Sequence, residues 1–163
     1  MKLYIKQRVF SLGEDFTVKN EHEEDVFYVG GSFFQIPKQF TIYNRNQEAV
    51  AKIERQLFRF LSHYDIQLPN QAVVTLRKEF SFLMPAFTLK GSNWLLQGDF
   101  FAHNYTVLSG GSPVMTLQKQ WFTWGDSYEL DIAREEDALL ALAIAICIDH
   151  ELARQNSANS APK

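Results

Sequence analysis

The sequence predicts a mainly β domain: a closed twelve-stranded antiparallel barrel around one buried hydrophobic C-terminal helix, built by tandem duplication of a six-strand half. Three observations lead there. An eleven-residue run at 138–148, ALLALAIAICI, is apolar throughout; a strand-ending unit recurs six times before it; and 14 Phe, 6 Tyr and 3 Trp stand beside only 8 Gly and 5 Pro. Aromatic residues favour strands, and a helix apolar on every side must be enclosed.

Composition bounds the rest. A chain of 163 residues is one domain of ordinary size. One Cys excludes an intramolecular disulfide framework, and a net charge of -3 gives no general attraction to nucleic acid. The MKLYIK start lacks the apolar core of a secretory leader, and no run reaches membrane-spanning length. The expectation is a cytoplasmic protein, not an integral membrane protein, with peripheral attachment as its form of membrane contact.

Taken in order, the recurring unit is aliphatic-x-x-x-apolar-Phe. It reads IKQRVF at 5–10, VGGSFF at 29–34, IERQLF at 53–58, LRKEFS at 76–81 with Ser in the last place, LQGDFF at 96–101 and LQKQWF at 117–122. Each is followed by aromatic-x-aliphatic: FTV at 16–18, FTI at 40–42, YDI at 64–66, FTL at 87–89, YTV at 105–107 and YEL at 128–130. Two strands per unit make twelve strands.

The second and fifth units carry Gly31 and Gly98 two places before a double Phe, whereas the third, fourth and sixth carry Arg55, Lys78 and Lys119 there or beside it. Corresponding units start 71, 67 and 64 residues apart, at Ile5 and Leu76, Val29 and Leu96, Ile53 and Leu117. The order predicts repeats at about 1–68 and 72–131, with Leu68-Pro69-Asn70 as the seam, since Pro and Asn favour a turn. Gly, Asn, Asp and Ser clusters at 19–25, 44–48, 91–93 and 109–112 read as hairpin connections.

Alternation in 49–58 puts Ala49, Ala51, Ile53, Arg55 and Leu57 on one face and Val50, Lys52, Glu54, Gln56 and Phe58 on the other. Closing such a sheet removes its edges, and twelve strands leave room for a helix about 10 Å across. The filler is the helix expected at about 135–153, with Leu139, Leu140, Leu142, Ile144, Ile146 and Ile148 in the core. Acidic residues at 131–137 suit its first turn, and Ala alternating with Leu and Ile favours helix over a thirteenth strand, the rival that the period-two pattern allows. The domain is expected to end near 154, leaving 155–163 as a disordered tail.

Residues 5–13 with FTV at 16–18, GDFF at 98–101, WFTWGDSY at 121–128 and the helix at 137–149 resemble the LURP-one-related family, particularly its small bacterial members. The resemblance runs to about Leu152. That family is similar to the tubby C-terminal domain and the phospholipid scramblases, which implies a tubby-like barrel closed around a hydrophobic helix. Tubby domains bind phosphoinositides through surface bases, scramblases act at membranes with calcium, and plant relatives are tied to pathogen defence. No tubby lipid-binding base aligns residue by residue, so none is carried over.

Chemistry-bearing motifs are few. No phosphate loop, His-Glu-x-x-His, paired Cys or Gly-x-Ser-x-Gly element occurs. Asp99 and His103 are explained as residues of a tight turn, and Asp149-His150-Glu151 as a helix terminator without a third spaced metal ligand. Recurring bases remain: Arg55, Lys78 and Lys119, joined by Arg77 and by Arg8. As a patch they suit an anionic lipid headgroup or other phosphate-bearing ligand; as solvated strand faces beside Glu54 and Glu79 they do nothing. The expected protein is a non-enzymatic binding or scaffold protein, without cofactor or metal, binding an anionic ligand or alternatively a protein partner. An enzyme is the third reading, with only Asp99 and His103 in its favour.

Overall fold

The computed structural model describes residues 1–6, 15–31, 36–122 and 125–160. Arg8 and the rest of the first unit, residues 32–34 of the second, and Thr123 and Trp124 lie outside the described residues.

Among the described residues are twelve strands and one long helix: β1 (Lys2–Lys6), β2 (Phe16–Asn20), β3 (Asp25–Gly31), β4 (Gln39–Tyr43), β5 (Ala49–Arg55), β6 (His63–Gln67), β7 (Val74–Glu79), β8 (Ala86–Lys90), β9 (Trp94–Asp99), β10 (Asn104–Ser109), β11 (Ser112–Phe122), β12 (Gly125–Ile132) and α1 (Ala138–Asn159). Every pairing is antiparallel, and the sheet runs from β8 through β1, across to β12, and on to β9. Leu3 faces Leu130 and Ile5 faces Tyr128 across the β1–β12 joint. Among the described residues no backbone ladder joins β8 to β9, so the barrel is nearly closed rather than closed, and the 91–93 turn, expected as a hairpin connection, links two strands that do not pair.

Hairpin chemistry follows the sequence. Asn20 Oδ1 accepts from the backbone N–H groups of His22 and Glu24, and Asn44 Oδ1 accepts from those of Asn46 and Glu48. These Asx bonds replace ladder bonds at the two tips. All even-to-odd connections therefore lie at one end of the barrel, together with the start of α1. The described odd-to-even connections, at 56–62, 80–85 and 100–103, lie at the other end, the mouth, from which α1 emerges.

Period two sorts the strands. Leu3, Ile5, Val18, Ile42, Ile53, Ile66, Leu76, Val107, Leu117 and Leu130 point inward and are buried against α1. The helix meets them on all sides, with Ala141, Leu142, Ala143, Ile144, Ala145, Ile146, Cys147 and Ile148 all buried. Ala at alternate places lets the wall approach closely, while each buried Leu or Ile contributes about 1.5–3 kcal/mol. Leu139 and Leu140 differ from expectation: they are half-buried at the entry turn, where the barrel wall has ended on part of the helix circumference.

The helix is also longer than expected. At 22 residues it spans about 33 Å, against roughly 17–23 Å for strands of five to seven residues. It projects through the mouth to Asn159, so the stretch assigned to a tail from 155 is helical that far. Asp149, His150 and Glu151 do not end it.

Candidate functional site

Arg55, Lys78 and Lys119 follow inward-facing pairs in their strands: Ala51 and Ile53 in β5, Val74 and Leu76 in β7, Met115 and Leu117 in β11. All three therefore occupy inward register places at the mouth. Gly31 and Gly98 hold the matching places in β3 and β9. A Cβ at Gly31 would lie 2.7 Å from the Phe40 ring, and one at Gly98 2.7 Å from the Asn104 oxygen and Tyr105 Cα. Bases thus stand where there is room, and glycine where ring or backbone crowds the wall.

Arg77 lies on the outer register, opposite His63 and Thr88. The strand order separates the predicted set: Arg55, Arg77 and Lys78 lie on β5 and β7, while exposed Lys119 lies across the helix on β11.

The acids beside these bases do not pair with them. Glu54 accepts from Gln39 Nε2 at 2.6 Å, and Glu79 from the Thr88 hydroxyl. Among the described residues, Arg55, Arg77 and Lys78 make no ion pair. Arg55 Nη2 donates to Ser62 Oγ at 3.1 Å, while the buried Nε groups of Arg55 and Arg77 have no partner.

Beneath Arg55, α1 is tied to β6. The Tyr64 hydroxyl donates to Glu151 Oε2 at 2.9 Å and lies 2.8 Å from His150 Nδ1. Because its one proton goes to the carboxylate, His150 donates through Nδ1–H. Burial, then the charges of Lys38, Arg55 and Arg154, pushes His150 down to about 4, so its ring is neutral. Burial alone would raise Glu151, but hydrogen bonds from Arg154 and Tyr64 and the Arg154 charge bring it below its ordinary value. Arg154 Nη2 reaches Glu151 Oε1 at 3.1 Å and Ser62 Oγ at 3.3 Å.

A second polar group faces the other half of the barrel. Asp149 is 8% exposed, its Oδ2 has no partner, and burial raises it to about 7. His103 Nδ1 stands 3.9 Å from Asp149 Oδ1, and its ring packs on Tyr128 at 4.7 Å. Burial, then Lys119, lowers His103. Asp99 does not join them: its Oδ1 accepts from the Ala102 N–H and closes the turn. Among the described residues no group of three His, Cys, Asp or Glu is placed to hold a metal.

Sequence reasoning missed the loops. The recurring unit places Phe58, Phe80 and Phe101 at strand ends, in the fourth unit one place before the closing Ser81, but β5, β7 and β9 stop short of them and these side chains are exposed. The signal was available: aromatic residues in FRF at 58–60 and FSF at 80–82 exceed what two alternating inward places can bury.

A sequence profile of the LURP-one-related family matches residues 1–149. The chain belongs to the LURP-one-related family. A Bacillus subtilis (strain 168) relative, the uncharacterized protein YxjI, is 33% identical over 149 residues, covering 91% of this chain and 92% of that protein. The X-ray structure of the Arabidopsis thaliana protein AT5G01750 superposes with a TM-score of 0.60 at 9% identity, covering 91% of each chain. That likeness shows the barrel fold and nothing about activity. Among the described residues of this LURP-one-related protein, no helix is long and apolar enough to cross a membrane.

Proposed function

We propose that the mouth binds anionic, phosphate-bearing ligands and that the protein is a non-enzymatic binding module of the cytoplasm, with phosphoinositide headgroups as the ligand class. The observation carrying this reading is that Arg55, Arg77 and Lys78 are left without carboxylate partners while adjacent Glu54 and Glu79 bond to neutral groups. The Arg55 guanidinium, held by Ser62 through one Nη, is preorganised to offer its remaining N–H groups to phosphate oxygens. Lys119 joins from across the helix.

Calorimetric titration with inositol 1,4,5-trisphosphate, at low and high salt, tests it. Salt-sensitive binding that weakens in the Arg55→Ala, Arg77→Ala, Lys78→Ala triple variant is the expected result; no binding, or binding unchanged in the variant, rejects it.

A second reading, a protein-interaction scaffold, is favoured by the exposed Phe58, Phe60 and Phe82. Pull-down of a stoichiometric protein partner lost on their substitution would support it. The enzyme reading has less support, since Asp99 closes a turn and does not face His103's partner, Asp149.

A further inference from the structure

The rim of the mouth carries an apolar crown. Phe58, Phe60 and Phe82 are exposed at 102%, 95% and 91%, and Leu83 and Phe80 at 86% and 74%. They stand on two loops, 56–62 between β5 and β6 and 80–85 between β7 and β8. These are neighbours because β5 to β8 are consecutive in the sheet, and the Lys78 N–H donates to the Ser62 carbonyl between them at 2.9 Å. Single exposed apolar residues are ordinary, but five large ones on adjoining loops form a surface needing an occupant. Phe58 is held at φ 57, a region costly for a bulky residue.

Charge identifies the occupant. Arg59 lies between Phe58 and Phe60, and Arg55, Arg77 and Lys78 stand at the strand ends behind the loops. The opposite end of the barrel is acidic on balance: Glu21, Glu23, Glu24, Glu48, Glu135 and Glu136 around its turns and helix start outnumber Lys19, Arg45 and Arg134, of which Arg45 pairs with Glu24 and Arg134 with Glu136. A molecule polarised in this way turns its mouth toward an anionic surface. A folded protein's apolar patch would cover the Phe side chains but needs separate acids for the bases. An anionic bilayer presents phosphate at one depth and acyl chain just below it, the same order in which the bases and Phe side chains are layered.

We propose that the 56–62 and 80–85 loops are membrane-inserting prongs: the protein docks mouth-first on anionic bilayers, Phe58, Phe60, Phe80, Phe82 and Leu83 entering the boundary between headgroups and acyl chains while Arg55, Arg59 and Lys78 meet phosphates. This rests on the mouth being the anion-binding face and adds the lipid surface as its source of phosphate.

The test uses the full chain with vesicles of phosphatidylcholine and phosphatidylserine, and with phosphatidylcholine vesicles as control. Phe60→Trp and Phe82→Trp should each gain a blue-shifted emission over the parent, quenched by lipids brominated near the headgroup, on anionic vesicles only. A variant with Ser at 58, 60, 80 and 82 should keep its fold by circular dichroism and keep binding inositol 1,4,5-trisphosphate. It should lose roughly tenfold or more in vesicle affinity. Vesicle binding without quenching, or a Ser variant that binds vesicles like the parent, overturns insertion while leaving headgroup binding intact. Insertion without trisphosphate binding keeps the prongs and removes the headgroup site. Concentration-dependent self-association reversed by the Ser substitutions, without vesicle binding, assigns the crown to a second copy and overturns the proposal.

Discussion

The Tyr64 hydroxyl donates to the Glu151 carboxylate across 2.9 Å, tying β6 to the central helix where the helix leaves the barrel. The same carboxylate takes Arg154, whose guanidinium also reaches Ser62 in the loop that carries Phe58 and Phe60. Helix, wall and rim loop thus share one buried polar junction.

Tyr64→Phe removes one donor and leaves His150 and Glu151 short of a partner. It should lower unfolding stability by about 1–3 kcal/mol. A double-mutant cycle with Glu151→Gln in urea should give a coupling of roughly 0.5 kcal/mol or more; additivity would mean the contact is not energetically formed.

Asp149 and His150 are neighbours with opposite pH dependence. Asp149 is raised from 3.8 to about 7, so the folded state keeps a proton that the unfolded chain releases, and stability is lost as pH rises from about 4 to about 7. His150 is lowered from 6.5 to about 4, so its contribution is lost as pH falls through that window, and His103, also lowered, acts in the same sense. Asp149→Asn should therefore leave stability rising with pH between about 4 and 6.5. Its advantage over the parent should grow to roughly 3–4 kcal/mol above pH 7. Denaturant unfolding at several pH values measures this; a constant difference between the two proteins would contradict it.

Two glycine substitutions should differ in size. Gly98 holds φ 132 with backbone atoms 2.7 Å from any added Cβ, whereas Gly110 holds φ 57 with open space around it. Gly98→Ala must both strain the chain and displace β10, and should cost more than the roughly 1–2 kcal/mol expected for Gly110→Ala. Thermal melts of the pair decide.

At the centre of the barrel, Leu142 is fully buried. Leu142→Ala should cost about 2–5 kcal/mol, and Leu142→Asp should prevent folding because a lone carboxylate would sit in an apolar interior. A soluble, cooperatively melting Leu142→Asp protein would overturn the central position of the helix.

Strand count and the enclosed helix were legible because period-two alternation and the all-apolar 138–148 run each leave one economical arrangement, whereas the parting between β8 and β9 was not, since the 91–93 turn carries the same Gly, Ser and Asn residues as the turns of true hairpins. Helix length was not, since beyond Leu152 the sequence turns polar and only the projection through the mouth explains a polar helix there. The bases were legible as repeat positions, but their register was not uniform: Arg77, next in chain to Lys78, falls on the outer face by the pleat. The crown was hidden for another reason. Phe at a strand end reads as core until the strand's last ladder bond is located, and β5 and β7 end before Phe58 and Phe80.

The most direct test of the mouth as the functional face compares charge removal at the two ends of the barrel. Co-sedimentation with phosphatidylserine-containing vesicles should fall strongly for Arg55→Ala with Lys78→Ala and remain near the parent level for Lys52→Ala with Lys90→Ala, which removes equal charge from the far half of the wall. Equal loss in both pairs would mean that net charge alone governs binding, and loss confined to the far pair would place the binding face at the wrong end.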